Sequence, residues 1–143
     1  MNSKTPAHLW DALRSATATQ GFISEVSLDD YHNDLLLRSA VERQLEILGE
    51  SLNRLRRDDP TTAARVPGLH AIIGMRNVLA HQYGTVDNTT VWQNATQNLP
   101  PLVTVLTTLL QEYDAGKLSA LSDETTTSQK FGVNSKDDQE NEH

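Results

Sequence analysis

Between Arg76 and Tyr83 the chain sets an arginine, an amide, a histidine and a phenol within eight residues, in "GMRNVLAHQYG". A guanidinium is a planar fork of donors suited to a phosphate or a carboxylate. An imidazole exchanges protons near neutral pH. Arg76, Asn77 and His81 could therefore hold an anionic group and move a proton beside it, with Tyr83 presenting a hydroxyl seven residues, about two turns, beyond Arg76. Each also has a plainer reading: His81 as a cation at a helix C-terminus, Tyr83 as a half-buried aromatic, Asn77 bonded to a neighbouring turn.

At about 100° per residue, His70, Gly74, Asn77 and His81 fall on one narrow stripe opposite Leu69, Ile72, Ile73, Val78 and Leu79. Gly74 interrupts that stripe, lowering helix stability by roughly 0.8–1 kcal/mol relative to alanine and leaving room for a close approach. Arg76 lies inside the apolar arc, about 140° from His81. An arginine placed there needs acceptors. It can pair with Glu42, Glu46 or Glu50, or it can face a groove and wait for a phosphate. His70 and His81 are too far apart for the short spacing of a helical metal pair, so no metal ligand is assigned.

The elements that must carry these residues are helical. Thr5-Pro6 reads as a cap with proline at the first helical position, followed by Leu9, Trp10, Leu13 and Ala16, and Gly21 should end that helix. Ser27 and Asp30 resemble a capping box opening a long helix to about Arg57. "RRDDPTTAARVPG" breaks it. A motif helix spans about Pro67 to Gln82, stopped by Gly84, and another spans about Asn88 to Asp114, which Pro100-Pro101 should kink or split. No stretch alternates with the period of a strand. The reading is an all-α, antiparallel bundle of four or five helices over residues 1–115, with a disordered acidic tail at 116–143.

Charge agrees with that division. The net charge is −7, of which −4 comes from seven acids and three lysines after Tyr113. A field of that sign excludes a general nucleic-acid coat but not a local RNA site. With no cysteine there is no disulfide or thiolate centre, and no run is apolar enough to cross a bilayer. The expectation is a soluble cytoplasmic protein.

"RNVLAHQY" resembles the motif of the HepT-like branch of the HEPN superfamily: arginine followed by asparagine, then histidine, one residue, and tyrosine. The likeness extends to "AVERQLEILGESLNRL" (Ala40–Leu55), similar to the long helix of that family, and to the "VD" turn, tryptophan and "LP" step of "GTVDNTTVWQNATQNLPPL". It covers about residues 30–112. Before the motif helix the family's usual aromatic is replaced by Leu69 and His70 in "ARVPGLHAI". The resemblance implies a homodimer with a composite cleft and metal-independent cleavage of RNA, plausibly tRNA, without a cofactor. It implies that Arg76 and His81 are catalytic and that Asn77 orients. It further implies a toxin of a type VII-like toxin–antitoxin pair, silenced when a separate minimal nucleotidyltransferase, the antitoxin, AMPylates Tyr83. The alternative is a HEPN dimer that binds a nucleotide or that partner and cuts nothing.

Overall fold

The first apolar stripe forms only in part: Leu9 and Ala16 are buried and Leu13 half-buried, but Trp10, about 100° round from Leu9, is 58% exposed. The computed structural model describes residues 2–81 and 86–140, and among them every regular element is a helix. Helix α1 (Thr5–Ile23) buries Leu9, Ala12, Ser15, Ala16 and Thr19, and runs through Gly21. Thr5 does not cap it. Lys4 precedes the helix without a side-chain cap bond, and the Thr5 hydroxyl instead donates to Asp59 at 2.8 Å.

A single long second helix was the expectation, and the structure divides it. Ser27 accepts from the Asp30 amide at 3.1 Å and opens α2 (Leu28–His32). Asp34 then accepts from the Leu37 amide at 3.0 Å and opens α3 (Leu35–Asp58). Short polar side chains at Asn33 and Asp34 compete with the helical ladder, and a cap formed there interrupts the apolar repeat. Arg38 closes the break by donating to the carbonyls of His32 and Tyr31. Tyr31 is fully buried beside it, and burial, with Glu42 adding to it against the opposing Arg38, pushes its phenol up to about 12.

The antiparallel packing of α3 on α1 is fixed by polar contacts at one end. His8 meets Asp58 at 2.7 Å. Asp59, 9% exposed, accepts from the Thr5 hydroxyl, the Thr62 amide (3.1 Å) and the Thr62 hydroxyl (2.7 Å), capping the short helix α4 (Pro60–Ala63). Burial alone would raise the Asp59 carboxyl. The bonds from Thr62 and Thr5 outweigh it and hold the group below its usual range. Replacing Asp59 by alanine removes a cap and leaves two buried hydroxyls short of an acceptor, so stability should fall by about 2–4 kcal/mol in a denaturant melt.

Asp58 is lowered to about 2, first by its hydrogen bond to His8 and then by that to Arg57. A carboxyl depressed by folding stabilises the fold above its unfolded value and loses that contribution as pH falls through the folded one. The contribution should be complete above the ordinary aspartate range near 3.9 and fade towards pH 2. A series of melting temperatures across that window should show a shallower acid limb for Asp58→Asn than for the wild type.

Gly68, at φ +69°, turns the chain into α5 (Leu69–His81). The entrance is packed by the buried Val66 and Leu69, in place of an aromatic. Asp87 accepts from the Thr89 amide at 3.0 Å and the Thr90 hydroxyl at 2.9 Å at the start of α6 (Asn88–Glu140). These bonds, that from Thr90 first, lower its carboxyl. Pro100 and Pro101 do not split α6. Both are exposed, opposite the buried stripe Val91, Ala95, Leu99, Leu102, Leu106 and Leu109, so the carbonyls they leave unpaired sit toward water.

Two compact units result, Met1–Leu110 and Gln111–His143. The first holds the core. In the second, composition predicts disorder from residue 116, and α6 is carried to Glu140. No proline interrupts the sequence after Pro101, so nothing in the chain forces the backbone ladder to stop. Among the described residues no helix is long and apolar enough to cross a membrane.

Candidate active site

Helix α5 lays Leu69, Ile72, Ile73, Met75 and Leu79 into the core, chiefly against α3. A very close approach occurs at Gly49, in the middle of α3. A Cβ placed there would lie 2.2 Å from Cβ of Arg76, 2.9 Å from its Cγ and 3.2 Å from the carbonyl oxygen of Ile72. The stem of Arg76 therefore rests on bare backbone. No side chain other than hydrogen fits beneath it.

That contact resolves the odd position of Arg76 on the helical wheel. Its stem belongs to the apolar arc and its charged head does not. The residue is half-buried, and Nη1 donates to Oδ1 of Asn77 at 3.0 Å, in an exposed bond. Long cationic side chains commonly bury the stem and keep the head in water. Here the head leaves the α3 side of α5 and turns toward the polar stripe. His70, Gly74, Asn77 and His81 are all exposed, as their spacing predicts.

The expected ion pair with α3 does not form. Glu50 is bonded to Arg54 at 2.7 Å and Glu46 to Arg43 at 3.3 Å. Glu42 is half-buried, and burial before any other cause raises its carboxyl. Among the described residues Arg76 has no carboxylate partner, and its side chain bonds to Asn77. Tyr83 lies outside the described residues. The structure thus brings Arg76 and Asn77 into contact and sets His81 one turn further along the same exposed stripe. Such a surface can grip an anion and offer an imidazole to it.

Spacing points to an opening at Gly74, whereas the close contact within the chain is at Gly49. Gly74 meets nothing within 4 Å in this chain. The signal at Gly49 was present: a glycine between Leu48 and Leu52, in the middle of an otherwise strong helix, weakens it and needs a reason.

A family model described as ribonuclease HepT-like matches residues 12–109. The chain belongs to the HepT-like ribonuclease family. Among curated relatives, the protein named "Putative RNase MJ1380" of Methanocaldococcus jannaschii is 30% identical over 96 residues, 67% of this chain and 87% of that one. "Putative RNase TTE0752" of Caldanaerobacter subterraneus is 30% identical over 63% of this chain and 80% of its own. "Probable ribonuclease HepT" of Thermococcus cleftensis is 27% identical over 66% and 86%. No solved structure matches. In this HepT-like chain the matched region contains α3, α4 and α5 entire, and with them both Gly49 and Arg76.

Proposed function

We propose that this HepT-like protein is a metal-independent endoribonuclease that acts on RNA, tRNA being the first candidate. The observation that carries the reading is the Arg76 head. It is supported from beneath by Gly49, has no carboxylate partner among the described residues and is turned to Asn77 on the stripe that ends in His81. In the reaction a ribose 2′-hydroxyl attacks the adjacent phosphorus and loses its proton, while the 5′-oxygen leaves and gains one. The products are a 2′,3′-cyclic phosphate and a 5′-hydroxyl. Arg76 holds the non-bridging oxygens as charge builds on them. His81 takes up or delivers a proton at the attacking or leaving oxygen, and Asn77 keeps the guanidinium in place.

A homodimer, with two copies of α5 lining one cleft, would supply a second Arg76 and His81 to the same phosphate. The same reading makes the protein the toxin of a cytoplasmic toxin–antitoxin pair. Its antitoxin, a separate minimal nucleotidyltransferase, would silence it by AMPylation of Tyr83. Phosphate charge added two residues beyond His81 would repel RNA and occupy Arg76.

The test uses wild type and His81→Ala, each shown by intact mass to be unmodified at Tyr83, incubated with total tRNA in EDTA. Cleavage by the wild type alone, leaving cyclic phosphate ends, is the expected result. If neither cuts, although both are folded dimers, the protein is better read as a scaffold for a nucleotide or the partner enzyme.

A further inference from the structure

The side of α3 turned away from Arg76 carries a second feature. On the helical wheel Glu50, Ser51 and Arg54 lie about 100–200° round from Gly49. With Asp11, Arg14 and Ser15 of α1 they line a groove of about 290 Å³. Its charges are balanced, two guanidinium groups and two carboxylates, but they are not all paired. Glu50 and Arg54 close on each other at 2.7 Å within α3. Asp11 and Arg14, both exposed and three residues apart on α1, enter no ion pair among the described residues.

The floor is polar and deep. Ser15 is 3% exposed and Ser51 is 5% exposed. The Ser51 hydroxyl donates to the Ile47 carbonyl at 2.9 Å. The Ser15 hydroxyl is not one of the buried polar atoms left without a partner; it meets solvent in the groove. An open hydroxyl at the floor, a free guanidinium and a free carboxylate at the rim make a set that one ligand can satisfy together.

Charge selects the ligand. A polyphosphate would meet Asp11 and Glu50, and a polyamine would meet Arg14 and Arg54, so either is opposed by half of the groove. A neutral molecule would leave both free charges to water. The volume is at the small end of ligand pockets, which run from about 300 to 1,000 Å³. We infer that the α1–α3 groove binds a small zwitterion of the α-amino-acid type, its carboxylate on the Arg14 fork, its ammonium on Asp11 and a polar atom on the Ser15 hydroxyl. This site is independent of RNA cleavage at Arg76, and either can fail without the other.

Titration of the ¹⁵N-labelled full chain with L-serine, L-threonine, L-glutamine and L-leucine tests it, with acetate, methylammonium and inorganic phosphate alongside. At least one amino acid should give saturable amide shifts confined to residues 11–15 and 44–54. Acetate and methylammonium should bind at least about tenfold more weakly, as should the amino acid to Arg14→Gln or Asp11→Asn, each of which loses a charged hydrogen bond. Both substitutions are at exposed positions, and unchanged circular dichroism melts verify the fold. Absence of saturation by all four amino acids at about 10 mM, well within the weak-ligand range, overturns the proposal. So does saturation that survives Arg14→Gln, or phosphate binding tighter than any amino acid.

Discussion

Arg76→Ala is expected to lower kcat/KM for RNA cleavage by about 10³-fold, the scale on which removal of one charge-stabilising donor slows acyl or phosphoryl transfer. The fold should survive, because alanine keeps the Cβ over Gly49 and the lost head is hydrated rather than buried. Arg76→Lys is the more informative partner. Lysine preserves the stem and the charge but presents a single ammonium in place of a planar fork, and it cannot donate to Asn77 and grip two phosphate oxygens in the same way. About 10–10²-fold loss, mostly in kcat, would mean that the fork acts in the transition state. A loss confined to KM would assign Arg76 to ground-state RNA binding. Cleavage by Arg76→Ala within about threefold of wild type would remove it from the phosphate altogether.

The second large effect is expected at a residue without a side chain. Gly49→Ala places a methyl group 2.2 Å from Cβ of Arg76, an atom fixed to the α5 backbone and unable to rotate away. The two helices must separate. Forcing an extra methylene into a packed contact costs about 1–3 kcal/mol. Alanine in a helix interior returns about 0.8–1 kcal/mol relative to glycine. The net loss of stability should therefore be modest, about 0–2 kcal/mol. Activity should fall much further, by about 10²-fold, because displacing a catalytic group by about 1 Å is enough for that. Gly74→Ala is the control. Its new Cβ meets nothing within 4 Å in the chain, so the melt should rise by about 1 kcal/mol. A Gly49→Ala protein that cuts RNA at the wild-type rate would show that the position of Arg76 is not set by α3.

Much of this was legible beforehand because helical spacing speaks directly. The exposed stripe of His70, Gly74, Asn77 and His81 follows from an angle of about 100° per residue, and so do the buried Leu9 and Ala16 of α1. The break at Asn33 and Asp34 was not legible, since an apolar repeat can run across a cap and only the Leu37 amide bond to Asp34 reveals the interruption. Thr5 looked like a cap because caps are local, and Asp59, 54 residues away, claimed its hydroxyl instead. Arg76 was ambiguous for a related reason. A wheel assigns one direction to a residue, but a long side chain can begin in the core and finish in water. Nor can a wheel name the glycine beneath it, which is a property of two helices and not of either sequence.

The fit of Arg76 on Gly49 also limits how the protein can be repaired. An alanine at 49 could be relieved of its contacts with position 76 by trimming that residue to glycine, leaving only the 3.2 Å approach to the Ile72 carbonyl oxygen. That change deletes the guanidinium. A selection for restored folding in a Gly49 variant should therefore return second-site revertants that are stable and inert. The two positions are locked together by geometry: relief at the contact itself removes the head of Arg76, and a route that keeps the head must move the helices apart.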